Sequence, residues 1–459
     1  MSDEPRTEPG RGRAVTLGDI PFVVVSLLSG ALLLYLGRSL TFWYDEWRSV
    51  TFDGTAFDYL RPVNEHWSTI PLALYRLTFE VVELRSYLPY LAQVILLHLS
   101  AVAAAYTLMR RRIGRPGATI LSLPLLLLGV GAENLYWAFQ TGFVGSVAFG
   151  LWALVLVEMP GRRAAVASAV LLLASLMCSG IGLVLLIGVV VRAVIDRQHR
   201  SRCLVAAPAG LAYLAWYATV GEDSVGEEGE LAGAFSVVGF TFRGVGHASE
   251  ALVGLDPLPT GRVVGVFLVA CLALIAVRRR RRGRPQGLAI GCLGGLVSLY
   301  ALIGVARAEL DSDYTTRGRY VYVAAFFLAL CVADLVPRRA PSAGLLQSRA
   351  SILGTAAAGA AFAWVVAVNV NALQTERTQF RFQADVTRAV IDLAVTHEGE
   401  PWVDPQAALD LMPTASELPG LVRMYGSPLE DAYFPVSIPK PSAKAYSDAR
   451  SYLTTGGER

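Results

Sequence analysis

The sequence predicts an all-α polytopic membrane protein with about eleven transmembrane helices, and three observations carry that prediction. Of its 459 residues, 54% are hydrophobic and only 17% charged, with a mean hydropathy of +0.47, whereas soluble domains are about half apolar. Several apolar runs approach or reach the ~20 residues that a helix needs to cross ~30 Å of hydrocarbon. The arginine-rich segments fall in alternate short loops, as expected of a chain threaded back and forth across a bilayer.

Apolar runs between polar punctuation predict helices near 18–38, 88–109, 117–132, 141–158, 164–177, 181–195, 203–220, 262–277, 286–305, 319–336 and 350–371. The first run is long for a signal-peptide core and lacks a small-x-small cleavage site, so it is read as a retained helix. RRRIGR at 110–115, GRR at 161–163, the basic stretch 192–202, RRRRRGR at 278–284 and PRR at 337–339 mark the cytoplasmic loops. An odd number of spans then leaves 1–17 as a cytoplasmic tail, 18–371 as the membrane domain and 372–459 as an extracytoplasmic tail. That tail starts with a helical pattern through TERTQFRFQADVTRAVIDLAV and continues with prolines. About 7 of the 37 acidic residues fall on the cytoplasmic side. Acids do not set topology, so their concentration outside points to an outer surface that carries chemistry.

All but two of the 40 basic residues are arginine, the exceptions being Lys440 and Lys444. The charges are segregated by side rather than pooled, and no nucleic-acid-binding motif is present. Cys178, Cys203, Cys271, Cys292 and Cys331 lie in or beside apolar segments without metal-type spacing, which predicts no disulfide framework. His98, inside the second span, reads as an interhelical hydrogen-bonding residue. His199 falls in a cytoplasmic loop, and VGEDSVGEEGE is an acidic outer loop.

The first outer loop, 41–87, opens with FWYDEWRS, placing Asp45 and Glu46 immediately after the first helix. Carboxylates at a membrane edge are costly unless solvated or used. A hydrated helix end among interfacial aromatics is one reading, and a catalytic acid pair is the other. This position of an acidic pair, in a long loop suited to interfacial helices, resembles the GT-C superfamily of membrane glycosyltransferases, in particular the protein O-mannosyltransferases and the lipid A aminoarabinose transferases. The resemblance covers the layout of residues 18–371. It implies a GT-C-like fold, a polyprenyl-phosphate sugar donor entering from the bilayer, inversion at the anomeric carbon, and Asp45 in the place of the catalytic acid. Unlike the best-known members, the chain has no recognisable large soluble domain.

Other outer segments supply candidate partners. NEHWSTIPLALYRL carries Glu65 and His66, which suit an acceptor hydroxyl or, with Glu46, a divalent cation; a capped helix start is the plainer reading. ENLYWAFQTGFVGS offers Glu133 and Gln140 for sugar hydroxyls, beside aromatics that also fit an interfacial belt. CSGIG at 178–182 is suited to close helix approach or to shaping a pocket. RAELDSDYTTRGRYVYVA places Arg307, Arg317 and Arg319 outside, against the charge bias, with Tyr320 at the helix mouth. An arginine fork would hold the donor phosphate, and pairing with Glu309, Asp311 or Asp313 is the alternative.

These readings converge on transfer of a sugar from a polyprenyl phosphate to a glycan, lipid or protein hydroxyl at the outer face of the cytoplasmic membrane, with Asp45 as general base. The competing readings are a transporter or flippase of a lipid-linked glycan or polar solute, and a non-catalytic scaffold. The spans carry few ionisable groups, which favours an interfacial enzyme over a transporter.

Overall fold

The computed structural model describes residues 17–455 except 51, 53, 196–201, 222–231, 256–258, 282–286, 310–311, 337–348 and 435–437. His199 and most of the acidic VGEDSVGEEGE segment lie outside the described residues. The described chain is almost wholly helical: α1 (Ile20–Gly37), α2 (Glu46–Val50), α3 (Thr69–Val82), α4 (Leu88–Leu126), α5 (Glu133–Tyr136), α6 (Thr141–Val157), α7 (Arg162–Leu176) and α8 (Ile181–Ile195) form the first half. The second half comprises α9 (Ala206–Thr219), α10 (Ala234–Leu252), α11 (Gly261–Arg281), α12 (Gly287–Arg307), α13 (Gly318–Leu335), α14 (Arg349–Thr396), α15 (Leu418–Tyr425) and α16 (Ala443–Thr455). Each of the eleven predicted apolar segments falls largely in a helix. By length and composition, six helices among the described residues can cross a membrane. α7, α8 and α9 have 15, 15 and 14 residues, or ~22 Å at 1.5 Å per residue, short of the hydrocarbon thickness.

α4 is two antiparallel arms. Gly114, at φ 76° and ψ 172°, breaks the helix in a conformation that a Cβ would oppose, and Pro116 begins the next arm, where its missing N–H costs nothing. His98 on the first arm lies 3.4 Å from the Leu126 carbonyl on the second. His98 also bonds Tyr322 of α13 at 3.0 Å, which is the interhelical role its sequence position suggested.

The ends of the helices separate the charges. At one end, Asp19 pairs with Arg110 and Arg115, Glu158 with Arg111, Arg112 and Arg192, and Asp334 with Arg112. These residues start α1 and end the first arm of α4, α6, α8 and α13. The opposite ends of the same helices carry Asp45, Tyr87, Gln140 and Arg319. Partly buried pairs with several partners at the low-dielectric rim avoid the penalty of an isolated charge.

Two elements differ from the sequence reading. The stretch 234–252, read as loop, is the helix α10, packed on α11 and α12. Backbones approach closely there: a Cβ on Gly246 would lie 1.8 Å from the Gly261 carbonyl oxygen, and one on Gly265 would lie 1.8 Å from that of Phe242. Residue 371 lies within α14, which continues to Thr396, so the membrane segment and the tail share one helix. The tail then folds back. Tyr446 of α16 bonds Asp392 of α14 at 2.6 Å, and Tyr425 of α15 packs edge-on against Phe79 of α3 with ring centroids 4.9 Å apart.

Candidate active site

The loop between α1 and α4 folds into short helices and a two-stranded hairpin. Tyr44 adopts φ +51°, a left-handed conformation uncommon for a bulky residue. Just after this bend Asp45 and Glu46 part company. Glu46 is fully buried, and its Oε1 accepts hydrogen bonds from the Tyr75 hydroxyl at 2.6 Å and the Tyr87 hydroxyl at 3.0 Å. Its Oε2 accepts from the Trp43 backbone N–H at 2.8 Å. Burial pushes its pKa up to about 8, against the lowering effect of these bonds. Asp45 retains 8% exposure. Burial holds its carboxyl above the usual range, opposed by a hydrogen bond from Asn64 and by the charges of Arg48 and Arg319.

Asn64 belongs to the chain's small hairpin. β1 (Pro62–Val63) pairs antiparallel with β2 (His66–Trp67), with Val63 opposite His66. The two turn residues, Asn64 at φ +47° and Glu65 at φ +67°, have the signs of a type I′ turn, where glycine usually fills the second position. NEHW is therefore a hairpin rather than a helix start; α3 begins later, at Thr69. Glu65 pairs with Arg307 at 3.3 Å. His66 is half-buried, and desolvation lowers its pKa, so the ring is neutral at physiological pH.

The other candidates converge on this loop. Arg319 Nη2 lies 2.8 Å from Glu133 Oε1, and the Arg319 backbone N–H donates to Glu133 Oε2 at 3.1 Å. The Arg319 guanidinium sits 5.9 Å from the Trp137 ring centroid, and its buried Nε has no hydrogen-bond partner. Arg317 is exposed and lies 5.4 Å over Tyr314; Tyr320 packs against Phe143 at 6.1 Å. Gln140 is buried with Oε1 unpartnered. For Arg307 and Arg319, the ion pairs thus cross to distant elements rather than closing on the acids of their own loop.

A small, open-mouthed cavity lies between the hairpin, α3 and the start of α6. Asn64, His66, Ser179, Phe139 and Phe143 are among its walls. The CSGIG turn shapes it: Cys178 and Ser179 line the cavity, and Gly180 lies against His66. Among the described residues no group of three His, Cys, Asp or Glu side chains could hold a metal ion. Glu46, Glu65 and His66 therefore do not form the cation site considered from sequence. Both Glu46 oxygens are occupied, and Glu65 is committed to Arg307.

Tyr75 and Tyr87, which fix Glu46, were not identified from the sequence. Their signal was weak, because tyrosines near a membrane edge are expected without any site.

The described chain is a multi-helix bundle with short helices and a hairpin after its first apolar helix, and with acids and arginines gathered at one end. The comparison with solved structures agrees: ArnT from Cupriavidus metallidurans bound to undecaprenyl phosphate aligns with a TM-score of 0.53 and 14% identity, over 95% of this chain and 88% of that one. The same protein in the apo state aligns at 0.49 and 14% identity, over 88% and 84%. No family model and no curated protein sequence matches the chain.

Proposed function

We propose that the protein transfers a glycosyl group from a polyprenyl-phosphate donor to a hydroxyl acceptor at the outer face of the cytoplasmic membrane. The observation that carries the reading is the placement of Asp45 beside Asn64, a wall residue of the cavity, and within the electrostatic reach of Arg319, at one end of an ArnT-like fold. The acceptor oxygen attacks C1 of the sugar as the bond from C1 to the phosphate oxygen breaks. The acceptor proton passes to the Asp45 carboxylate, and the bonding electrons leave with the phosphate.

Asn64 orients Asp45, whose raised pKa strengthens it as a base. The leaving phosphate gains negative charge, which the Arg319 guanidinium, with Nη2 paired to Glu133 and Nε unpartnered, is equipped to meet. Arg307 reaches the hairpin through Glu65, and Tyr320 packs on Phe143 of the cavity wall. The cavity lined by His66, Ser179, Phe139 and Phe143 suits a sugar ring, with aromatic faces and a few polar atoms. Glu46 is assigned as a positioning residue, because its oxygens are consumed in fixing the loop. No step is routed through a metal, since the acidic residues do not assemble as ligands.

The test is mass spectrometry of envelope glycans and polyprenyl-phosphate sugars in a deletion strain complemented with wild type or Asp45→Asn. Loss of one glycan with accumulation of its donor, restored by wild type alone, supports the reading. Full complementation by Asp45→Asn removes Asp45 as the base and favours a transporter or scaffold.

A further inference from the structure

A second charged site lies where α14 crosses the end of α1. Arg377 Nε donates to the Leu36 carbonyl at 2.9 Å, and the Arg388 guanidinium donates to the Ser39 carbonyl. Between them in sequence, Arg38 bonds the Tyr35 carbonyl at 2.5 Å and lies 3.7 Å over the Tyr35 ring. Arg381 follows Arg377 by one helical turn, on the same face.

Capping of the α1 carbonyls explains part of this arrangement but not its charge. A helix C-terminus offers about half a negative charge, and Asp385 adds one by pairing with Arg388 at 3.2 Å. Against four guanidinium groups, that leaves an excess of about two and a half positive charges. Among the described residues no ion pair reaches Arg38, Arg377 or Arg381, and Asp385, paired with Arg388, feels Arg381 only at longer range. Arg388 is 99% buried, with Nε unpartnered.

An exposed apolar helix face leads to the cluster. α1 exposes Val24, Leu28 and Tyr35 along one face that leads directly to Arg38. We propose that this cluster seats the phosphate of an anionic membrane phospholipid whose acyl chains lie along α1. A phosphate supplies the missing charge and accepts the forked donors that arginine presents.

The full chain, purified in detergent and stripped of lipid, is titrated with phosphatidylglycerol, undecaprenyl phosphate, phosphatidylcholine or inorganic phosphate. Binding is followed by native mass spectrometry and thermal unfolding. The expected result is adduct formation and stabilisation by phosphatidylglycerol, weakened about 30-fold in the Arg38→Gln, Arg381→Gln double variant. The Arg381→Gln single variant, which breaks no backbone contact, should show an intermediate loss with unchanged lipid-free stability. Equal binding of phosphatidylcholine, stabilisation by undecaprenyl phosphate or inorganic phosphate alone, or unweakened binding by the variants would overturn the proposal. Sugar transfer is not read in any arm, so the outcome is independent of the transferase assignment.

Discussion

Asp45 and Glu46 are adjacent, yet their surroundings assign them different work. Removing the Glu46 carboxylate strands the Tyr75 hydroxyl and the Trp43 N–H in a buried setting. At ~1–3 kcal/mol for each stranded group, Glu46→Ala should cost about 3 kcal/mol, read as a lowered Tm in detergent. The raised pKa of Glu46 also fixes a sign. Its folded-state value of about 8 lies above the ordinary value of 4.5, so its contribution to stability is complete below about pH 4.5 and is lost as pH rises through 8. Thermal unfolding across that window should show the decline in wild type and a flatter profile in Glu46→Gln. At Arg319, lysine keeps the charge but loses the fork shared between Glu133 and the free Nε. Arg319→Lys should therefore lower kcat by ~10²-fold or more while leaving the fold intact, measured by transfer from a synthetic polyprenyl-phosphate sugar.

At the scale of elements, the packing of α10 against α11 depends on the absence of side chains. Gly246→Ala or Gly265→Ala would drive a Cβ into a backbone carbonyl, and such overpacking costs about 1–3 kcal/mol or more. Gly210→Ala in α9, where the new atom meets only Leu186 at 3.5 Å, serves as the control. Expression level and Tm should fall for the first two and hold for the third. The α10 helix was illegible in sequence because Arg243, His247 and Glu250 break its apolar run. Only the fold reveals that His247 bonds Thr315 at 2.8 Å, bracing the segment that leads to Arg317 and Arg319. The NEHW hairpin was hidden for another reason, since its turn carries glutamate where turn chemistry leads one to look for glycine.

For the whole molecule, the arginine-rich end is the cytoplasmic end under the charge rule. In a background lacking Cys203 and Cys271, a membrane-impermeant maleimide should label Met424→Cys in intact spheroplasts and Arg163→Cys only after permeabilisation. The reverse pattern would invert the proposed orientation and move the candidate site to the cytoplasm.

The sequence by itself determined the membrane class, the apolar segments, the alternation of basic loops and the residues worth testing, because hydropathy and charge bias are local properties summed along a chain. Tertiary structure alone decided which carboxylate stays accessible, that Arg307 reaches Glu65 across 242 residues, that Arg319 rests on Glu133, and that four arginines gather at the end of α1. Such facts depend on backbone turns like Tyr44 and on which helix ends meet. Residue spacing encodes neither, and burial then sets the charge and role of each group.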